Sequence, residues 1–80
     1  MMTKHAKLII FEPWNAYEVI EGVTSKIPLR FLANDGRSFW LYPNIWELLT
    51  RWPTEGKLLV TVYERRTKNW IGLGILEKLT

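Results

Sequence analysis

Ile27-Pro28-Leu29-Arg30-Phe31-Leu32-Ala33-Asn34-Asp35-Gly36-Arg37-Ser38-Phe39-Trp40-Leu41-Tyr42 is the stretch whose reading decides the fold. Two alternating runs surround Asn34-Asp35-Gly36, a triplet that suits a type I turn followed by a glycine at positive φ, the three-residue hairpin loop. With Ala33 opposite Arg37, Phe31 faces Phe39 and Leu29 faces Leu41 on one side of the ribbon. On the other side Arg30 faces Trp40, Leu32 faces Ser38 and Pro28 faces Tyr42. A two-residue loop places Arg30 opposite Leu41 and mixes the faces, so the first register is preferred.

The flanking segments extend the pattern. Pro43 opens a stretch with Ile45, Leu48, Leu49 and Trp52 at i, i+3, i+4 and i+7, closed by Pro53. This spacing predicts a helix of about two turns whose apolar stripe packs on the sheet, with Trp46 off that stripe. Leu58–Glu64 and Asn69–Leu76 form a second alternating pair around Arg65-Arg66-Thr67-Lys68. Val62 opposite Ile71, Val60 opposite Leu73 and Leu58 opposite Ile75 make its core face. Tyr63 with Trp70, Thr61 with Gly72 and Leu59 with Gly74 make the other.

Toward the N-terminus, Lys7-Leu8-Ile9-Ile10-Phe11 reads as a strand ended by Glu12-Pro13, because proline cannot donate to a ladder. Tyr17–Ile20 resumes it or forms a short helix over 14–20, and Gly22–Ser25 reads as a polar loop. The resulting order is strand, strand, strand, helix, strand, strand. The class is α+β but mainly β, a small five-stranded antiparallel barrel of the oligonucleotide-binding type with one short helix. An SH3-like barrel or an open sheet fits the same order.

The chain's 80 residues make one domain, with residues 1–5 expected to fray. With 48% hydrophobic and 24% charged residues it has the composition of a folded domain. No cysteine is present, which excludes disulfides, thiolate zinc sites and cysteine nucleophiles and fits a reducing, cytoplasmic setting. The apolar run near the N-terminus is too short for a signal-peptide core or a membrane span, so no membrane association is expected.

Catalysis finds little support in the residues. His5 is the one histidine and lies in the segment expected to fray, so a multi-histidine metal site has no second ligand and a Ser-His-Asp arrangement no fixed base. Glu64 reads as an end-of-strand carboxylate paired with a neighbouring cation. Gly72-Leu73-Gly74 lacks the third glycine and following helix of a nucleotide fingerprint. Glycines alternating in a strand instead mark a bend or a site where atoms approach bare backbone. The expectation is a protein that is not an enzyme and takes no cofactor or metal.

The feature that asks for a function is the aromatic content, five tryptophans in 80 residues. Trp52, Phe31 and Phe39 belong to the expected core. Trp40, Tyr42, Tyr63 and Trp70 share the other face with Arg30, and the basic loop Arg65, Arg66 and Lys68 stands at one end. The net charge of +3 lies entirely in residues 37–80, which carry seven basic and four acidic side chains. Aromatics beside cations suit single-stranded nucleic acid, whose bases stack and whose phosphates pair with lysine and arginine.

Two other readings compete for the same residues. They form a second core layer beneath the helix or the N-terminal strand, or they form a protein-interaction surface, since tryptophan, tyrosine and arginine dominate binding hot spots. The preferred reading is a non-catalytic module for single-stranded nucleic acid using Arg30, Trp40, Tyr42, Tyr63, Arg65, Arg66, Lys68 and Trp70. The alternative is a protein-protein or self-association module, such as an inhibitor, adaptor or complex subunit. A homodimer joined through the edge of strand 7–11 or of the last strand belongs to that alternative.

Overall fold

The structure is a computed structural model that describes residues 3–12 and 17–79. Its elements are β1 (Thr3–Glu12), β2 (Glu18–Ser25), β3 (Arg30–Ala33), β4 (Ser38–Pro43), α1 (Ile45–Glu55), β5 (Lys57–Glu64) and β6 (Trp70–Lys78). Each strand runs antiparallel to the one before it, and β6 returns to pair with β1, closing a six-stranded barrel. The expected barrel class holds, with six strands rather than five.

The additional strand is β2, which takes in Gly22–Ser25 instead of leaving it as a loop. Val23 and Thr24 are β-branched, and Thr24 is buried with its hydroxyl donating to the Arg30 carbonyl at 2.7 Å. A Cβ at Gly22 would overlap the Leu32 carbonyl oxygen, so the glycine is what lets β2 lie against β3. Residues 18–20 are strand, not helix, and residues 13–16 lie outside the described residues. Lys4 and His5 belong to β1, opposite Thr24 and Val23 of β2.

Closure also removes the expected dimer edges. β1 pairs with both β2 and β6, and β6 pairs with both β5 and β1, so neither strand offers a free ladder.

The first hairpin has the predicted register, with Arg30 opposite Trp40, Phe31 opposite Phe39 and Leu32 opposite Ser38. Gly36 takes φ 96°, its N–H bonds the Ala33 carbonyl at 3.0 Å, and Ala33 N–H bonds Arg37 at 2.8 Å. Phe31, Phe39 and Leu41 point into the barrel, whereas Leu29 stays exposed at its mouth.

The second hairpin departs from expectation. Tyr63 does face Trp70, but Val62 faces Gly72, Val60 faces Gly74 and Leu58 faces Leu76, with a register shift between Val62 and Tyr63. The extra residue is Ile71. One bulged residue reverses the alternation of everything after it, so Gly72, Gly74 and Leu76 face inward and Leu73 and Ile75 outward, while the bulged Ile71 itself packs, partly buried, against the core. Gly72 is required there, because a Cβ would overlap the Glu12 carbonyl oxygen of β1.

The helix is longer than predicted and passes through Pro53 to Glu55. Asn44 caps it by accepting from the Glu47 N–H at 3.1 Å, and Gly56 ends it at φ 71°. Pro53 is tolerated because it lies in the last turn, where the ladder bond it cannot make is with the exposed Leu49. Trp52 is buried against the barrel interior and Leu48 packs beside it, but Ile45 and Leu49 are exposed, contrary to the expected stripe. Lys78 Nζ lies 4.9 Å from the Trp52 ring centre and covers it.

Outside, cross-strand rows sort by chemistry. Val19, Ile9, Ile75 and Leu59 make one aliphatic row across β2, β1, β6 and β5. The neighbouring row, Glu21, Lys7, Glu77 and Lys57, alternates in sign, with Lys7 and Lys57 at 3.2 Å and 3.8 Å from Glu77. A third row carries the aromatics.

Candidate nucleic-acid interface

Three pairings build that row: Arg30 of β3 faces Trp40 of β4, Trp40 faces Tyr63 of β5, and Tyr63 faces Trp70 of β6. The Ile71 bulge makes the last pairing possible, because it turns Trp70 outward ahead of the inward-facing Gly72. One step along the strands, Tyr42 faces Thr61, and the Tyr42 and Tyr63 rings meet edge to face with centres 5.2 Å apart.

These side chains stand on the outer surface. Tyr42 is 61% and Trp70 51% exposed, and Trp40 and Tyr63 are half-buried. The second-core-layer reading is therefore overturned: α1 seals one end of the barrel with Trp52, and β1 closes the circle between β2 and β6 without covering this face.

Cations frame the row. The Arg30 and Arg65 guanidinium carbons lie 5.8 Å and 5.2 Å from the Trp40 ring centre. Arg65 is placed by its backbone N–H, which donates to the Ser38 carbonyl at 3.0 Å. Lys68 adopts a left-handed conformation at φ 63°, closing the loop with an N–H bond to the Glu64 carbonyl at 2.8 Å. Its side chain joins Trp40, Tyr42, Thr61 and Tyr63 around an open groove of about 690 Å³ with no carboxylate on its lining.

Seven of the eight predicted residues thus share one outer face, and the eighth does not. Arg66 lines a second groove with Asp35, Arg37, Phe39 and Glu64, a groove that Arg65 also borders on the side away from Trp40. Among the described residues Arg30, Arg65, Arg66 and Lys68 make no ion pair within 4.0 Å, and neither does Glu64, which was expected to pair. Arg37 is already committed, to Glu18 at 3.0 Å and Asp35 at 2.8 Å. Those carboxylates raise its pKa, and its guanidinium holds the Asp35 carboxyl below the usual value.

Thr61, not among the expected site residues, also lines the groove; its place two residues before Tyr63, on the same strand face, is the available signal. Among the described residues no three His, Asp or Glu side chains gather as metal ligands. No helix among them is long and apolar enough to cross a membrane. Comparison with protein-family models, with curated proteins and with solved structures returned no match.

Proposed function

We propose that this domain is a non-catalytic binding module that holds single-stranded nucleic acid against the outer face of β3–β6. The observation that carries the reading is the row Arg30, Trp40, Tyr63 and Trp70, aligned across four neighbouring strands with Arg65 and Lys68 at its margin. Exposed rings offer stacking worth about 1–3 kcal/mol per base, and cations without a carboxylate partner bind phosphates without first breaking an ion pair. The absence of cysteine fits work in a reducing, cytoplasmic environment.

The test is a titration of tryptophan fluorescence with single-stranded DNA and RNA oligonucleotides at several salt concentrations. Quenching is expected, and log affinity falls with log salt by about 0.7 for each phosphate contacted. Absence of quenching by either polymer at low salt overturns the reading and leaves the same face to a protein partner.

A further inference from the structure

Among the described residues the most exposed large hydrophobic side chain, Trp46, is on α1 and not in the aromatic row. Ile45, Trp46 and Leu49 are 65%, 72% and 67% exposed. Ile27 and Leu29 are also exposed, and the Leu29 carbonyl accepts from Leu41 N–H at 2.8 Å. That bond sets the β2–β3 connection beside the end of β4, from which α1 starts. At 3.6 residues per turn, Ile45, Trp46, Leu49 and Pro53 occupy one flank of the helix. Thr50 and Thr54 continue it, their hydroxyls bonded back to the Trp46 and Thr50 carbonyls.

Every charged residue of the helix is on the other flank. Arg51 pairs there with Glu47 at 2.9 Å and Glu55 at 3.8 Å, beside Lys57 and Glu77 of the sheet. Leu48 and Trp52 face the barrel. The helix therefore has two apolar faces, one spent on the core and one uncharged and open to solvent. Depletion of charge around an exposed tryptophan is the composition of an interface centre.

We infer that this flank is the contact between two copies of the chain, related by a two-fold axis that sets their α1 helices antiparallel. The chain carries +3, and Arg65, Arg66 and Lys68, which make no ion pair among the described residues, lie in the β5–β6 loop, at the end of β5 opposite the one α1 leads into, so two copies repel through that surface. The helix flank itself brings no charged side chain into the contact. An isologous interface asks only that one patch suit itself, and a patch of aliphatic and indole surface does. The five exposed side chains offer roughly 1,000 Å² over both copies, about the least that sustains a specific dimer, so association is weak and depends on concentration.

The contact is independent of the aromatic row, and it is tested without nucleic acid. Light scattering on the full chain across a range of concentrations is expected to show a mass rising from the 9.5 kDa monomer toward the dimer. Trp46→Glu and Leu49→Glu each raise the dissociation constant about thirtyfold or more, with the melting temperature of the dilute protein unchanged. Val19→Glu, on the outer sheet, leaves association intact. Leu49→Cys introduces the chain's one thiol close to the two-fold axis, and on oxidation it is expected to cross-link faster than a Thr67→Cys control. A chain that stays monomeric throughout, or a dimer weakened no more by the two helix substitutions than by Val19→Glu, overturns the inference.

Discussion

The Arg65 guanidinium lies 5.2 Å from the centre of the Trp40 ring, whereas the adjacent Arg66, which with Arg65 borders the groove beside Asp35 and Glu64, is stacked on no ring among the described residues. Two neighbouring cations of one loop therefore have different roles in the proposed interface. Arg65→Ala is expected to weaken oligonucleotide binding and lower the salt slope by about 0.7, the share of one phosphate contact. Arg66→Ala leaves the slope nearly unchanged. Equal effects of the two substitutions would show that the loop acts as diffuse charge, without a defined contact.

Lys68 holds a left-handed backbone that glycine adopts freely. Lys68→Gly removes strain of about 1 kcal/mol and also removes the cation from the groove. The variant is expected to melt at a higher temperature than the parent and to bind oligonucleotide less tightly. Calorimetry and fluorescence titration of the same sample check both signs.

Gly72 and Gly36 separate two reasons for glycine. Gly36→Ala meets no atom within 4 Å and costs only what φ 96° imposes, about 1 kcal/mol. Gly72→Ala drives a methyl group into the Glu12 carbonyl and pries β6 from β1, at about 3 kcal/mol or more. Urea midpoints for the two variants give the comparison.

Asp35 predicts an acid dependence. The hydrogen bond from the Arg37 side chain, helped by the Arg37 N–H, lowers the Asp35 pKa from 3.8. A folded carboxyl that titrates below its unfolded value contributes stability that is present in full above the unfolded pKa. That contribution is lost as the pH falls through the folded value. Asp35→Asn is therefore less stable than the parent at neutral pH, and the gap narrows as pH drops below 3.8. Denaturant midpoints at neutral and acid pH measure it, and a gap unchanged in acid contradicts this account.

The first hairpin was legible because Asn34-Asp35-Gly36 dictates both the loop and the register. The second was half legible. Tyr63 and Trp70 paired as read, but the Ile71 bulge has no local signature, since it follows from Gly72 and Gly74 having to lie under the β1 backbone. β2 was obscured for a related reason: Gly22 looks like a loop residue until β3 is placed on top of it. On α1, periodicity identified apolar positions but not which of them meet the barrel, so Ile45 and Leu49 read as core beside Leu48 and Trp52. The aromatic face depended only on the first hairpin and on Tyr63 opposite Trp70, which is why seven of its eight predicted residues fell together.

The most direct measurement is the NMR signal of each indole N–H as a single-stranded oligonucleotide is added to the isotope-labelled chain. The account predicts that Trp40 and Trp70 shift progressively to saturation while the buried Trp52 and the helix-borne Trp46 stay in place. Shifts confined to Trp46, or no shift at Trp40 and Trp70 at low salt, would contradict it.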